Sequence, residues 1–246
     1  MNEGIYSKKL IVPPDYCDAA ANLSPAGIFT VFQAIAAEHA ELLDIGASAI
    51  LKRGTFWVTV HTRVDFLAPV RMMKEITAKT WAEKCLPENM KCFRDYELFC
   101  GETLIAAGKT QWAILGKDKK ALRFDQSGFP GDYVYPERFS IPGEMAWMSD
   151  DFEESDCSEE YIVRATDIDF GQHMNNIAYV RKFLDQFSSK EIQVNKIRSM
   201  EVHYGTPCYE QELLRIYCKR EAKLCRMAVK KADGKTAAMA VLTFRE

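Results

Sequence analysis

Along this chain of 246 residues, one pattern of apolar and polar positions is written twice. In the first half, Lys8 to Pro13 reads as a strand and Leu23 to Leu43 as a long helix. Its apolar residues, Ile28, Phe29, Val31, Phe32, Ile35, Leu42 and Leu43, cover most of its faces. Strand-like runs follow at Trp57 to Phe66, Glu75 to Cys85, Met90 to Cys100 and Thr103 to Leu115. The second half repeats the order. Tyr161 to Arg164 is a strand, and Asn175 to Phe187 is a helix with Ile177, Val180, Leu184 and Phe187 at helical spacing. Ile197 to Tyr204, Glu212 to Glu221, Lys223 to Ala232 and Lys235 to Phe244 read as its strands.

Between the repeats lies Gly116 to Glu160, rich in Asp, Gly, Pro and Ser, where Phe129, Tyr133, Tyr135 and Trp147 keep no sustained period. It reads as a connection that packs along the surface. The expected organisation is a first domain over 1–130, a connection over 131–158 and a second domain over 159–246. An offset of 151 sets Ile11-Val12 on Ile162-Val163, Asp18 on Asp169, Asn22 on His173, Ser24 on Asn175 and Phe32 on Phe183. An offset of 138 sets Val64 on Val202, Phe66 on Tyr204 and Pro69 on Pro207. The halves read as a duplicated fold of which only the second keeps a full polar cluster. In each half a long apolar helix precedes about four antiparallel strands, which fits an α+β unit with a sheet curled around a buried helix.

Composition narrows the function. With 48% hydrophobic residues the chain can bury a large core, and 32 basic against 35 acidic residues, a net charge of -3, give no reason to expect a nucleic-acid partner. Met1 to Leu10 holds no apolar signal core, and no run approaches the ~18 apolar residues of a membrane span. A soluble, cytoplasmic protein is expected. The eight cysteines form no Cys-x-x-Cys and no zinc-like spacing, so reduced thiols and no metal are expected.

The chemistry concentrates in Asp167-Ile168-Asp169-Phe170-Gly171-Gln172-His173-Met174-Asn175-Asn176. One Asp or Asn is an ordinary helix cap. Two carboxylates, an imidazole and three carboxamides at the start of a helix exceed what capping needs. The unpaired N–H groups and positive end of that helix can steady an oxyanion. Together they suggest acyl chemistry. Of the other histidines, His39 and His61 read as structural, and His203, alternating with Val202 and Tyr204, faces solvent or the domain seam.

Asp-x-Asp followed by His-x-Asn-Asn-x-x-Tyr over Asp167 to Tyr179 resembles the bacterial acyl-acyl-carrier-protein thioesterases, relatives of the plant fatty-acyl thioesterases. Leu23-Ser24, Trp57, Pro69, Thr80-Trp81, Arg94-Asp95 and Trp112 add family-like features in the first half. The resemblance covers nearly the whole chain and implies two tandem hotdog domains, each a curved antiparallel sheet wrapped around a central helix. It implies hydrolysis of fatty acyl-carrier-protein thioesters, with acyl carrier protein as partner and no cofactor, since the substrate carries its own phosphopantetheine. An acyl-coenzyme A thioesterase and a non-catalytic acyl-binding protein are the alternatives, and a homodimer is possible.

Position by position, the family's functional Asp corresponds to Asp169, its His to His173 and a Cys after the following strand to Cys208. The family usually has Asn at Gly171 and Glu at Pro207, and this chain departs at both. Asp169 is expected to position or deprotonate water, or alternatively to act as a nucleophile; His173 orients Asp169 or polarises the carbonyl. Gly171 offers an N–H and room for the thioester, Asn175 and Asn176 hold the loop and cap the helix, and Asn175 is also a candidate for substrate contact. Cys208 is a disfavoured nucleophile because its local sequence supplies no base or cation. In the first half, Phe29 and Phe32 are the candidates to border an acyl tunnel.

Overall fold

The computed structural model describes residues 4–143, 145 and 148–246. Trp147 lies outside the described residues. The elements run β1 (Tyr6–Ile11), α1 (Pro25–Leu42), α2 (Ala47–Arg53), β2 (Phe56–Phe66), β3 (Glu75–Ala82), β4 (Lys91–Cys100), β5 (Thr103–Leu115) and the short β6 (Ala121–Leu122). The second half gives β7 (Cys157–Ile162), α3 (Asn176–Leu184), β8 (Ile197–Tyr204), β9 (Leu213–Arg220), β10 (Leu224–Lys231) and β11 (Thr236–Phe244).

Each half is an antiparallel sheet wrapped on its helix, the expected hotdog arrangement. The two sheets are continuous, because β2 pairs with β8 and yields the order β1-β3-β4-β5-β2-β8-β11-β10-β9-β7. β2 and β8 are the equivalent strands of the repeat, so the halves associate through a two-fold, self-complementary edge. Val64 opposite Met200 buries the inner face of this seam, while on the outer face His61 Nε2 lies 3.2 Å from Glu201 Oε2. His203 faces His61 across the seam, ring centroids 5.7 Å apart.

Alternation decides which side chains reach the core. In β4, Tyr96 and Leu98 point in towards α1, where Phe32 stacks on Tyr96 at 4.8 Å; Asp95 and Glu97 point out. The connection covers that outer face. Ser140 donates both its N–H (3.1 Å) and its hydroxyl (2.5 Å) to Asp95, and Trp81 Nε1 donates to the Arg138 carbonyl (3.2 Å).

Several boundaries and one element differ from expectation; β1 runs Tyr6–Ile11 rather than Lys8 to Pro13, and β3, read to Cys85, ends at Ala82. β7 starts at Cys157 rather than at Tyr161, because an edge strand tolerates the charged Glu159 and Glu160 that masked it in sequence. α3 ends at Leu184, three residues short, and its last turn tightens as the Gln186 N–H bonds to the Phe183 carbonyl. α2 has no counterpart in the expected pattern, being only seven residues long.

Candidate active site

The polar cluster forms a loop whose backbone is fixed before its side chains are considered. Ile168 and Met174 pair as an isolated bridge, the Asp169 N–H bonds to the His173 carbonyl (3.1 Å), and the Met174 N–H bonds to the Cys208 carbonyl (2.8 Å). Closing so tight a loop puts Gln172 at φ 62°.

The first half builds the same loop. Cys17 pairs with Leu23, the Leu23 N–H bonds to the Val70 carbonyl (2.9 Å), and Ala21 takes φ 58°. Asp18 Oδ1 accepts the Ala20 N–H (2.9 Å) as Asp169 Oδ1 accepts the Gly171 N–H (2.8 Å). Ser24 caps α1 through the Gly27 N–H, and Asn175 caps α3 through the Ile177 N–H. The duplication therefore extends to individual hydrogen bonds, and the reactive difference is His173 where the first half has Asn22.

Within the second loop the two carboxylates separate in role. Asp167 is spent on structure: its Oδ2 accepts the Arg164 N–H (2.8 Å) and the Tyr161 hydroxyl (2.5 Å). With burial, that bond pushes the Tyr161 phenol up to about 12. Asp169, its side chain one-fifth exposed, is held by the Gly171 N–H and by Asn175 Nδ2, which donates to Oδ2 at 3.3 Å. His173 is more open. Its Nδ1 lies 3.4 Å from the Met174 carbonyl and 3.9 Å from Asp169 Oδ1, so the imidazole stands beside the carboxylate without bonding to it.

Gly171 makes room for this. A Cβ there would sit 2.9 Å from His173 Nε2 and 3.0 Å from Asp169 Oδ1, so the imidazole occupies the space a side chain at position 171 would need.

Cys208 is fully buried, and burial pushes its thiol up. Its place in the repeat is that of Val70, also buried, and both lend the carbonyl that anchors a loop. Pro207 likewise occupies the position of Pro69. Phe29 and Phe32 are buried on α1, with Phe32 packed between Tyr96 and Gly108.

The structure adds one contact that sequence could not supply. Asn176 Nδ2 donates to Thr59 Oγ1 on β2 at 3.0 Å, 117 residues away, so the first half helps to hold the start of α3. Thr59 borders the irregularity in β2 between Thr59 and His61, which leaves no mark on the apolar pattern.

A duplicated hotdog sheet with a carboxylate and an imidazole at one helix start defines a thioesterase-like class of architecture. The chain belongs to the acyl-ACP thioesterase family: the model of the family's N-terminal domain matches residues 3–124 and that of its C-terminal domain matches 151–246. It is similar to the chloroplastic oleoyl-acyl carrier protein thioesterase of Coriandrum sativum, 18% identical over 206 residues. That match takes in 76% of this chain and 55% of the relative, so the chain spans about half the length of the curated protein it matches. Among solved structures it resembles an acyl-ACP thioesterase from Bacteroides thetaiotaomicron, with a TM-score of 0.88, 19% identity and both chains covered in full. It also resembles the 12:0-ACP thioesterase from Umbellularia californica, with a TM-score of 0.85, 14% identity, and 100% of this chain and 98% of that one covered.

Proposed function

We propose that this chain hydrolyses fatty acyl-acyl-carrier-protein thioesters and releases the free fatty acid. The observation that carries the reading is Asp169, oriented by Gly171 N–H and Asn175 Nδ2 at the start of α3 and flanked by His173. The Asp169 carboxylate takes a proton from water, whose oxygen attacks the thioester carbonyl. The resulting oxyanion is steadied by His173 and by the Asn176 N–H that opens α3, since Asn175 takes the Ile177 N–H with its side chain and the Ala178 N–H with its carbonyl. The carbon–sulfur bond then breaks, and the proton held by Asp169 passes to the leaving phosphopantetheine thiolate. Asn175 and Asn176 keep the loop in register, and Cys208 serves as an anchor. The acyl chain enters the first half beside α1, with Phe29 and Phe32 at the tunnel wall. Acyl carrier protein presents the substrate.

The test sets a panel of acyl-carrier-protein thioesters beside the matching coenzyme A esters, for the natural protein and Asp169→Asn. Turnover with a preference for the carrier protein, falling by about 10² to 10⁴ in the variant while the fold persists, is expected. Preference for coenzyme A would assign the carrier wrongly, and binding without turnover would make the chain an acyl-binding protein.

A further inference from the structure

Eight thiols are free, and one pair of them touches: Cys218 Sγ on β9 lies 3.3 Å from Cys225 Sγ on β10. The register explains the meeting. Cys218 opposes Met227 and Arg220 opposes Cys225, so the two cysteines are diagonal neighbours on one face of a tight hairpin. Both point to the inside of the second sheet beyond the C-terminal end of α3. Cys225 is buried but lines a solvent-open cavity of about 400 Å³ bordered by Phe187, Lys196, Leu224 and Phe244. Cys218 is half-buried.

Between them stands Arg220, fixed by Glu191 (3.0 Å) and by its stacking on the Phe187 ring (4.4 Å). We propose that Cys218 and Cys225 form an oxidisable dithiol, in which Cys218 reacts with hydrogen peroxide and Cys225 resolves the product to an intramolecular disulfide.

The chemistry balances with the peroxide as sole co-reactant. The Cys218 thiolate attacks one peroxide oxygen; the O–O bond breaks, water leaves after protonation, and Cys218 carries a sulfenic acid. The Cys225 sulfur then attacks the Cys218 sulfur, the S–O bond breaks, a second water leaves, and the two electrons lost by the thiols have reduced the peroxide. The sulfurs must close from 3.3 Å to ~2.05 Å, a movement the turn at 221–223 can absorb. The bond from Cys225, then the neighbouring Arg220, lowers the Cys218 thiol, whereas burial raises Cys17, Cys85 and Cys92. The thiolate is the reactive species, so Cys218 is favoured among them. The pair sits past the far end of α3 from Asp169 and belongs to no step of thioester hydrolysis.

The experiment treats the intact native protein with a slight excess of hydrogen peroxide, alkylates the remaining thiols and maps the peptides. A cross-linked Cys218–Cys225 peptide, short by the mass of two hydrogens and restored by dithiothreitol, is expected ahead of oxidation at the other six cysteines. In Cys225→Ala, a dimedone adduct on Cys218 is expected in place of the cross-link, with Cys225→Ser as the second choice if that variant does not fold. Full alkylation of both cysteines after peroxide, or earlier oxidation of another thiol, overturns the proposal. A sulfenic acid trapped on Cys225 in Cys218→Ala, with none on Cys218 in Cys225→Ala, overturns the assignment of roles.

Discussion

Replacing Gly171 by alanine tests the geometry of the loop that carries Asp169 and His173 with the smallest change available. Gly171 does not occupy the positive-φ region, so alanine meets no backbone strain there. Its Cβ would lie 2.9 Å from His173 Nε2 and 3.0 Å from Asp169 Oδ1, where ordinary contacts begin at 3.4 Å. One or both groups must therefore retreat by about half an ångström, given that contact distance. A misplacement of 1 Å can cost about 10²-fold, so half that distance is expected to lower kcat by about tenfold, roughly 1.4 kcal/mol. Stability should hold or rise slightly, because alanine at an unstrained site restricts the unfolded chain and gains ~0.4–1 kcal/mol. The assay is kcat and KM on the best acyl-carrier-protein substrate, paired with a thermal melt. Unchanged kcat with unchanged Tm would show that neither the imidazole nor the carboxylate works from the position seen here. A lower Tm would instead mean that the loop cannot absorb the methyl group.

Three further outcomes are expected. Cys208→Ser should keep most of the activity and a thiol alkylator should not abolish turnover, since this cysteine is buried and its carbonyl is the part in use; an acyl group recovered on Cys208 from a quenched reaction would reverse this. Phe29→Ala and Phe32→Leu should shift the preferred chain length upwards more than they lower the rate on the best substrate, because one methylene in such a pocket is worth ~1–3 kcal/mol; identical chain-length profiles in folded variants would move the tunnel elsewhere. His39, buried against Arg94 (2.9 Å), is pushed down from 6.5 to about 3, first by burial and then by the guanidinium. The unfolded chain therefore takes up a proton that the fold refuses, and stability is lost as pH falls from about 6.5 towards 3, at ~1.4 kcal/mol per pH unit. Asp95 acts in the opposite sense, since burial raises its carboxyl. The informative quantity is thus the gap between natural protein and His39→Gln, which should change by about 2 kcal/mol between pH 7 and pH 5 in chemical denaturation; a constant gap would mean that His39 takes up its proton as readily in the fold as in the unfolded chain.

The sequence alone was enough for the units, the repeat and the loop. The helix-like run Leu23 to Leu43 and the strand-like run Thr103 to Leu115 are local properties of the backbone, and both segments appear almost as read. The offset of 151 that matched Asp18 to Asp169 matched the bond each accepts as well, because the same turn needs the same acceptor; it also set one helix cap on the other, Ser24 holding the N–H of the third residue of its helix and Asn175 that of the second. Shorter or charged segments, β7 and α2, left too few residues for a period to show. What needed the tertiary structure was every partnership between distant elements. These are the β2–β8 seam, the grip of Thr59 on Asn176, the lodging of His173 above Gly171, and the meeting of Cys218 with Cys225. A residue pattern specifies which face of an element is apolar. Which residue stands opposite it is settled only when the sheet closes, since a shift of one position in register would exchange the two faces and every neighbour with them.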